Sequence, residues 1–190
     1  MNFSLEKTYN YLAALICASI PFMTYAKAFV NICMICLFLI MVVSYNKDKV
    51  INIVNQNFFK VLTIFLIFIV IYSLFNGSFF DDFAESRKIA QIILLFILFS
   101  FANDKRFLIY GFISGVLVSS LITDLNIVIY YFNSSDILIS KSSVEDLFIT
   151  QRLYLGFFVL ISIVLLSFLS RTSKTSKQKF FYALLILFFI

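Results

Sequence analysis

The chain has 190 residues, 62% of them hydrophobic and only 13% charged, with a formal net charge of +5 and a mean hydropathy of +1.02. This excludes an ordinary water-soluble domain, which is near half apolar and about a quarter charged. The positive charge does not point to nucleic acid either, because the basic residues fall in short stretches between apolar runs, where they act as topology signals. With no histidine, and with Cys17, Cys33 and Cys36 all inside apolar runs, neither a zinc site nor a disulfide framework is expected, and no cofactor is called for.

The apolar residues come in blocks of the length a helix needs to cross ~30 Å of hydrocarbon. The predicted fold class is therefore all-α, a polytopic transmembrane helix bundle. The first block runs from Tyr9 to position 45. As one helix it would measure ~55 Å, too long for a single crossing, so it must fold back. Pro21 and the segment 24–27 offer the break, giving spans over 9–25 and 27–45. Ala26-Lys27-Ala28 looks like a signal-peptidase site. However, Glu6 balances Lys7 and the next apolar run begins at once, so this segment is read as retained.

A polar loop is expected over 46–60, then span 3 over 61–75. The stretch 76–88 is polar and acidic, with Asp81, Asp82 and Glu85 before Arg87 and Lys88. Span 4 follows over 89–102. Asn103-Asp104-Lys105-Arg106 reads as a tight turn and 107–132 as span 5. Segment 133–152 is the longest predicted loop, with room for a short interfacial helix. Span 6 covers 153–170, and 171–179 is a basic Ser/Thr-rich loop. The run 180–190 has only eleven residues, too few to cross a bilayer. Six complete spans and the start of a seventh are therefore expected, in a chain cut short of its natural end.

Placing the N-terminus in the cytoplasm puts Lys7, Lys47, Lys49, Lys60, Lys105, Arg106, Arg171, Lys174, Lys177 and Lys179 on the inner side. Lys27, Arg87, Lys88, Lys141 and Arg152 fall on the outer side. This asymmetry predicts a multi-pass protein with a cytoplasmic N-terminus.

Three features stand out against hydrophobic filler. Arg87 and Lys88 are paired cations at the outer mouth of span 4. They could bind a lipid diphosphate at headgroup depth, or they could snorkel to the interface or pair with Glu85. Arg152 opens span 6 in the run Gln151-Arg152-Leu153-Tyr154-Leu155-Gly156. Gly156, four residues on, shares its helix face and would let a helix or a substrate come close; an ordinary interfacial arginine beside a packing glycine is the plainer reading. Asp124, with Asn126 nearby, sits inside span 5. It could serve as an intramembrane relay or counter-charge, or lie near the interface because span 5 is long. Gly111, Gly115 and Ser119 form a small-residue stripe that reads as a helix-packing face.

A tight return after a short first span, short basic loops, an Arg/Lys-headed span 4 and the R-x-Y-x-G entry at Arg152, Tyr154 and Gly156 resemble the first half of the O-antigen ligase and O-antigen polymerase family. These are bacterial inner-membrane glycosyltransferases of surface-polysaccharide assembly. The resemblance implies an undecaprenyl-diphosphate-linked glycan as donor. The acceptor would be lipid A-core in a ligase or another glycan in a polymerase, with membrane lipids as the surroundings. It places Lys88, with Arg87, at the family's basic position on span 4. Arg152 matches the arginine before span 6, the residue that would be catalytic. The chain departs from the family in having no histidine and no large external loop. Two other classes fit the same spans. One is a transporter or flippase of lipid-linked glycan or small solute, with Asp124 in a relay. The other is a non-enzymatic membrane subunit that docks through the small-residue stripe.

Overall fold

The structure, a computed structural model, describes residues 3–44, 46–76, 79–133 and 152–190. Every regular element among them is helical. In chain order these are α1 (Phe3–Ser19), a 3-10 turn (Ile20–Phe22), α2 (Met23–Val43), α3 (Lys47–Val54), α4 (Asn57–Phe75), α5 (Phe79–Phe101), α6 (Lys105–Asn133), α7 (Arg152–Thr172) and α8 (Ser176–Phe189). Among the described residues, four helices have the length and apolarity to cross a membrane, over Tyr25–Val43, Asn57–Phe75, Lys105–Phe132 and Tyr154–Thr172. Little of their surface is covered by the protein itself. Only 6% of Asn57–Phe75 is buried, at a mean hydropathy of 2.5. Side chains such as Ile64, Phe65 and Phe68, all exposed, require an apolar solvent, as lipid tails provide. The chain is thus a multi-pass membrane protein by the length and apolarity of these helices.

Several element boundaries differ from expectation, each for a local reason. The first break falls at Pro21, one of the two places expected, and not at 24–27: Pro21 supplies no N–H to the helix ladder and the backbone tightens into a 3-10 turn over Ile20–Phe22. The expected loop 46–60 contains α3, started by Asn46, whose side chain accepts from the Lys49 N–H at 3.2 Å. The acidic stretch after position 78 is helical and continuous with α5. Polar side chains do not end a helix; they only mark where it leaves the hydrocarbon. In α5 the apolar portion is Ala90–Phe101. The basic loop 171–179 shrinks to 173–175 between α7 and α8. The expected loop and interfacial helix over 134–151 lie outside the described residues.

The chain divides into two compact units. One comprises Met1–Ala13 and Asn31–Lys105. Its core holds Tyr9, Ala13, Leu37 and Leu98, all at 2% exposure or less. Here α4 packs on α5, with Phe58 and Phe96 at 4.9 Å between ring centroids. The Tyr9 hydroxyl donates to the Leu98 carbonyl at 2.7 Å, so a buried phenol is satisfied.

The other unit comprises Ala14–Val30 and Arg106–Ile190. Its core cluster is Ile113, Leu166, Leu169 and Tyr182, flanked by Ile109, Leu165, Leu185 and Phe189. The α7–α8 hairpin forms one side of this cluster. Gly111 and Gly115 face α1 so closely that an added Cβ would strike the backbone carbonyls of Ala14 and Ala18. Ser119 continues the stripe and is fully buried. The stripe is a packing face for a neighbouring backbone, as its spacing predicts.

Candidate functional site

The predicted site residues fall in both units. Arg87 and Lys88 lie on α5, nine and ten positions into the helix. Arg87 is exposed. Arg152 is the first residue of α7. The side chains of Lys88 and Arg152 lie outside the described ones. Fourteen residues separate Arg87 from Phe101, or ~21 Å of helix, which is less than the ~30 Å of a hydrocarbon core. With Phe101 at one edge of such a layer, the backbone of Arg87 and Lys88 would fall short of the other edge. For α7, the distance from Arg152 to Thr172 is ~30 Å. That places Arg152 at one edge and Arg171 at the other.

Gly156 has nothing within 4 Å of an added Cβ. No described helix uses it for close packing, so of the two approaches the spacing allows, that of another helix is not taken among the described residues. Asp124 is exposed on α6, while its neighbour Thr123 is buried and donates to the Ser119 carbonyl at 2.9 Å. Counting from Phe107, Asp124 lies ~26 Å along the axis, near the far edge of a ~30 Å core. The length of α6, 29 residues, accounts for a carboxylate in an apolar run.

Two polar clusters were not foreseen. In the first unit, Asn103 lies between Glu6 and Lys49. Its amide donates to the Glu6 carboxylate, and its carbonyl oxygen accepts from the Lys49 ammonium. Lys49 also stands 5.9 Å from the Phe101 ring centroid, a cation–π distance. Lys105 donates to the carbonyls of Phe99 at 2.6 Å and Ser100 at 2.9 Å, closing the carbonyl end of α5. In the second unit, a cavity of about 30 Å³ is lined by Arg106, Tyr110, Leu169, Thr172, Ser173, Gln178 and Tyr182. The Tyr110 and Tyr182 hydroxyls share a hydrogen bond of 2.8 Å, and Ser173 donates to the Gln178 side-chain oxygen at 2.6 Å. These partners lie 54 to 97 residues apart in the first cluster and 72 apart across the tyrosine pair. No local pattern announces them.

The three cysteines are free thiols, Cys17 and Cys33 buried and Cys36 exposed. Among the described residues no three His, Cys, Asp or Glu side chains gather as metal ligands would. No family model matches this chain, and neither a curated protein nor a solved structure is found to be similar to it.

Proposed function

We propose that the protein acts in bacterial surface-polysaccharide assembly, transferring or polymerising undecaprenyl-diphosphate-linked glycans at the external face of the inner membrane. It would cross six times, through α1, α2, α4, α5, α6 and α7, with a cytoplasmic N-terminus. The two polar clusters support this count. Glu6, Lys49 and Asn103 gather at one end of the first unit, so an even number of crossings separates each from the next. Arg106 and Ser173 line one cavity in the second unit, so α6 and α7 make a further pair. Both ends are rich in lysine and arginine, which favours the cytoplasmic side. Arg87, Lys88 and Arg152 then belong to the opposite, external ends.

The observation that carries the proposal is the depth of the basic pair on α5. A cation ~21 Å from the inner end of its helix is costly at the edge of hydrocarbon unless an anion or water meets it. A lipid diphosphate is an anion delivered at that depth. Arg87, Lys88 and Arg152 are each proposed as a cation that meets such oxygens and stabilises the charge that develops on the leaving group. The acceptor hydroxyl attacks the anomeric carbon, the bond from that carbon to the diphosphate breaks, and undecaprenyl diphosphate departs, taking up the proton that the hydroxyl loses. Positioning and charge stabilisation supply the rate.

Removing one donor to the leaving group should reduce transfer about a hundredfold. Arg152→Ala should therefore abolish surface polymer on gels while leaving the protein's membrane level on immunoblots unchanged. Polymer of wild-type amount and length from that variant would refute the role.

A further inference from the structure

The short helix α3, between two spans, presents three unlike sides. Successive helical residues turn by about 100°, so its eight residues sort by position. Lys49 and Ile53 form the side turned to the protein. Ile53 is 5% exposed, and the Lys49 ammonium bonds to Asn103 and stands over the Phe101 ring. Asp48 and Asn52 form a second side, polar and exposed. Ile51 and Val54 form the third, which is apolar yet 45% and 44% exposed. Lys47, also exposed, lies one turn back from Ile51 on that third side.

A single exposed apolar residue needs no explanation. Two on one side of so short a helix, with polar residues sorted to another, form an amphipathic pattern. We propose that α3 lies in the plane of the membrane surface. Ile51 and Val54 are set into lipid just below the headgroups, Lys47 reaches the phosphates, and Asp48 and Asn52 face water. This placement depends on α2 and α4 crossing the membrane and not on any transfer chemistry.

The place of α3 in the chain names what covers its apolar side. Segment 44–46 joins it to the span that ends at Val43, and segment 55–56 joins it to the span that starts at Asn57. Both ends of α3 are thereby tethered to the membrane boundary. Lys60, exposed in the first turn of α4, marks headgroup level there, since a lysine at a span end keeps its ammonium in the polar layer. At that level protein lies on one side of α3, water on another and lipid on the third. An apolar side with a cation beside it is what an interfacial helix turns to lipid. Through Lys49 and Asn103 the same helix ties the turn after α5, and Glu6 of α1 beyond it, to the membrane surface.

The chain has no tryptophan, so one introduced on α3 reports alone. The full chain would be reconstituted into vesicles of phosphatidylglycerol and phosphatidylcholine, with lipid brominated on its acyl chains as one quencher and iodide on both sides of the vesicle as the other. Ile51→Trp and Val54→Trp should be quenched by the bromines and shielded from iodide. Asp48→Trp and Asn52→Trp should be quenched more by iodide than by the bromines. Two positions on each side keep the comparison intact if one variant fails to fold. The same quenching pattern at all four positions would overturn the proposal, because α3 would then have no lipid side. So would shielding of positions 51 and 54 from both quenchers, which would mark a protein partner there.

Discussion

The α6 and α7 helices both carry glycine and use it in opposite ways. On α6, Gly111 and Gly115 lie against the Ala14 and Ala18 backbone, and Ser119 extends the contact. On α7, Gly156 faces open space one turn from Arg152. A glycine repeated at four-residue spacing thus marks a helix seam. A single glycine beside a lone cation leaves that cation approachable. The first lets two backbones touch where there is no hydrophobic effect to draw helices together in lipid. The second spares room at a membrane edge, where the proposed donor would arrive.

Three substitutions can break or sharpen this contrast. Gly115→Ala has the largest expected effect. Its methyl would lie within 3.0 Å of Ala18 backbone atoms, and overpacking against a backbone that cannot rotate away should cost about 2–3 kcal/mol, read as a lower melting temperature in detergent. Ser119→Ala should act the other way. The Ser119 hydroxyl is buried with no hydrogen-bond partner, so its removal at nearly constant volume should stabilise by about 1 kcal/mol. Gly156→Ala should have the smallest effect, a gain of about 0.5–1 kcal/mol from helix propensity alone. If Gly115→Ala were neutral and Gly156→Ala destabilising, the assignment of seam and open face would be reversed.

The helical class, the return at Pro21, the turn at Asn103 and Asp104, and the α6 seam were all readable from residue order. Each depends on neighbours within a few positions. Helix ends inside polar stretches were not readable, because hydropathy reports where a helix meets water and not where it stops. α5 runs ten residues beyond its expected start for this reason. α3 had a signal in Asn46, a capping residue, with Asp48 in the first turn, but an apolar-run reading passes over so short a helix. The Glu6–Asn103–Lys49 and Tyr110–Tyr182 contacts arise only from tertiary pairing. For the proposed site, residue order supplies Arg87, Lys88 and Arg152 only as candidates. The depth of Arg87 was not legible, because it depends on α5 being continuous through the acidic segment.

Sidedness tests the central claim most directly. In a background with Cys17, Cys33 and Cys36 changed to Ala, single substitutions Arg87→Cys, Arg152→Cys, Lys49→Cys and Lys174→Cys can be probed with a membrane-impermeant maleimide on intact cells. Positions 87 and 152 should label at once, and positions 49 and 174 only after permeabilisation. Labelling of 49 and 174 from outside, with 87 and 152 protected, would contradict an external site for a lipid diphosphate.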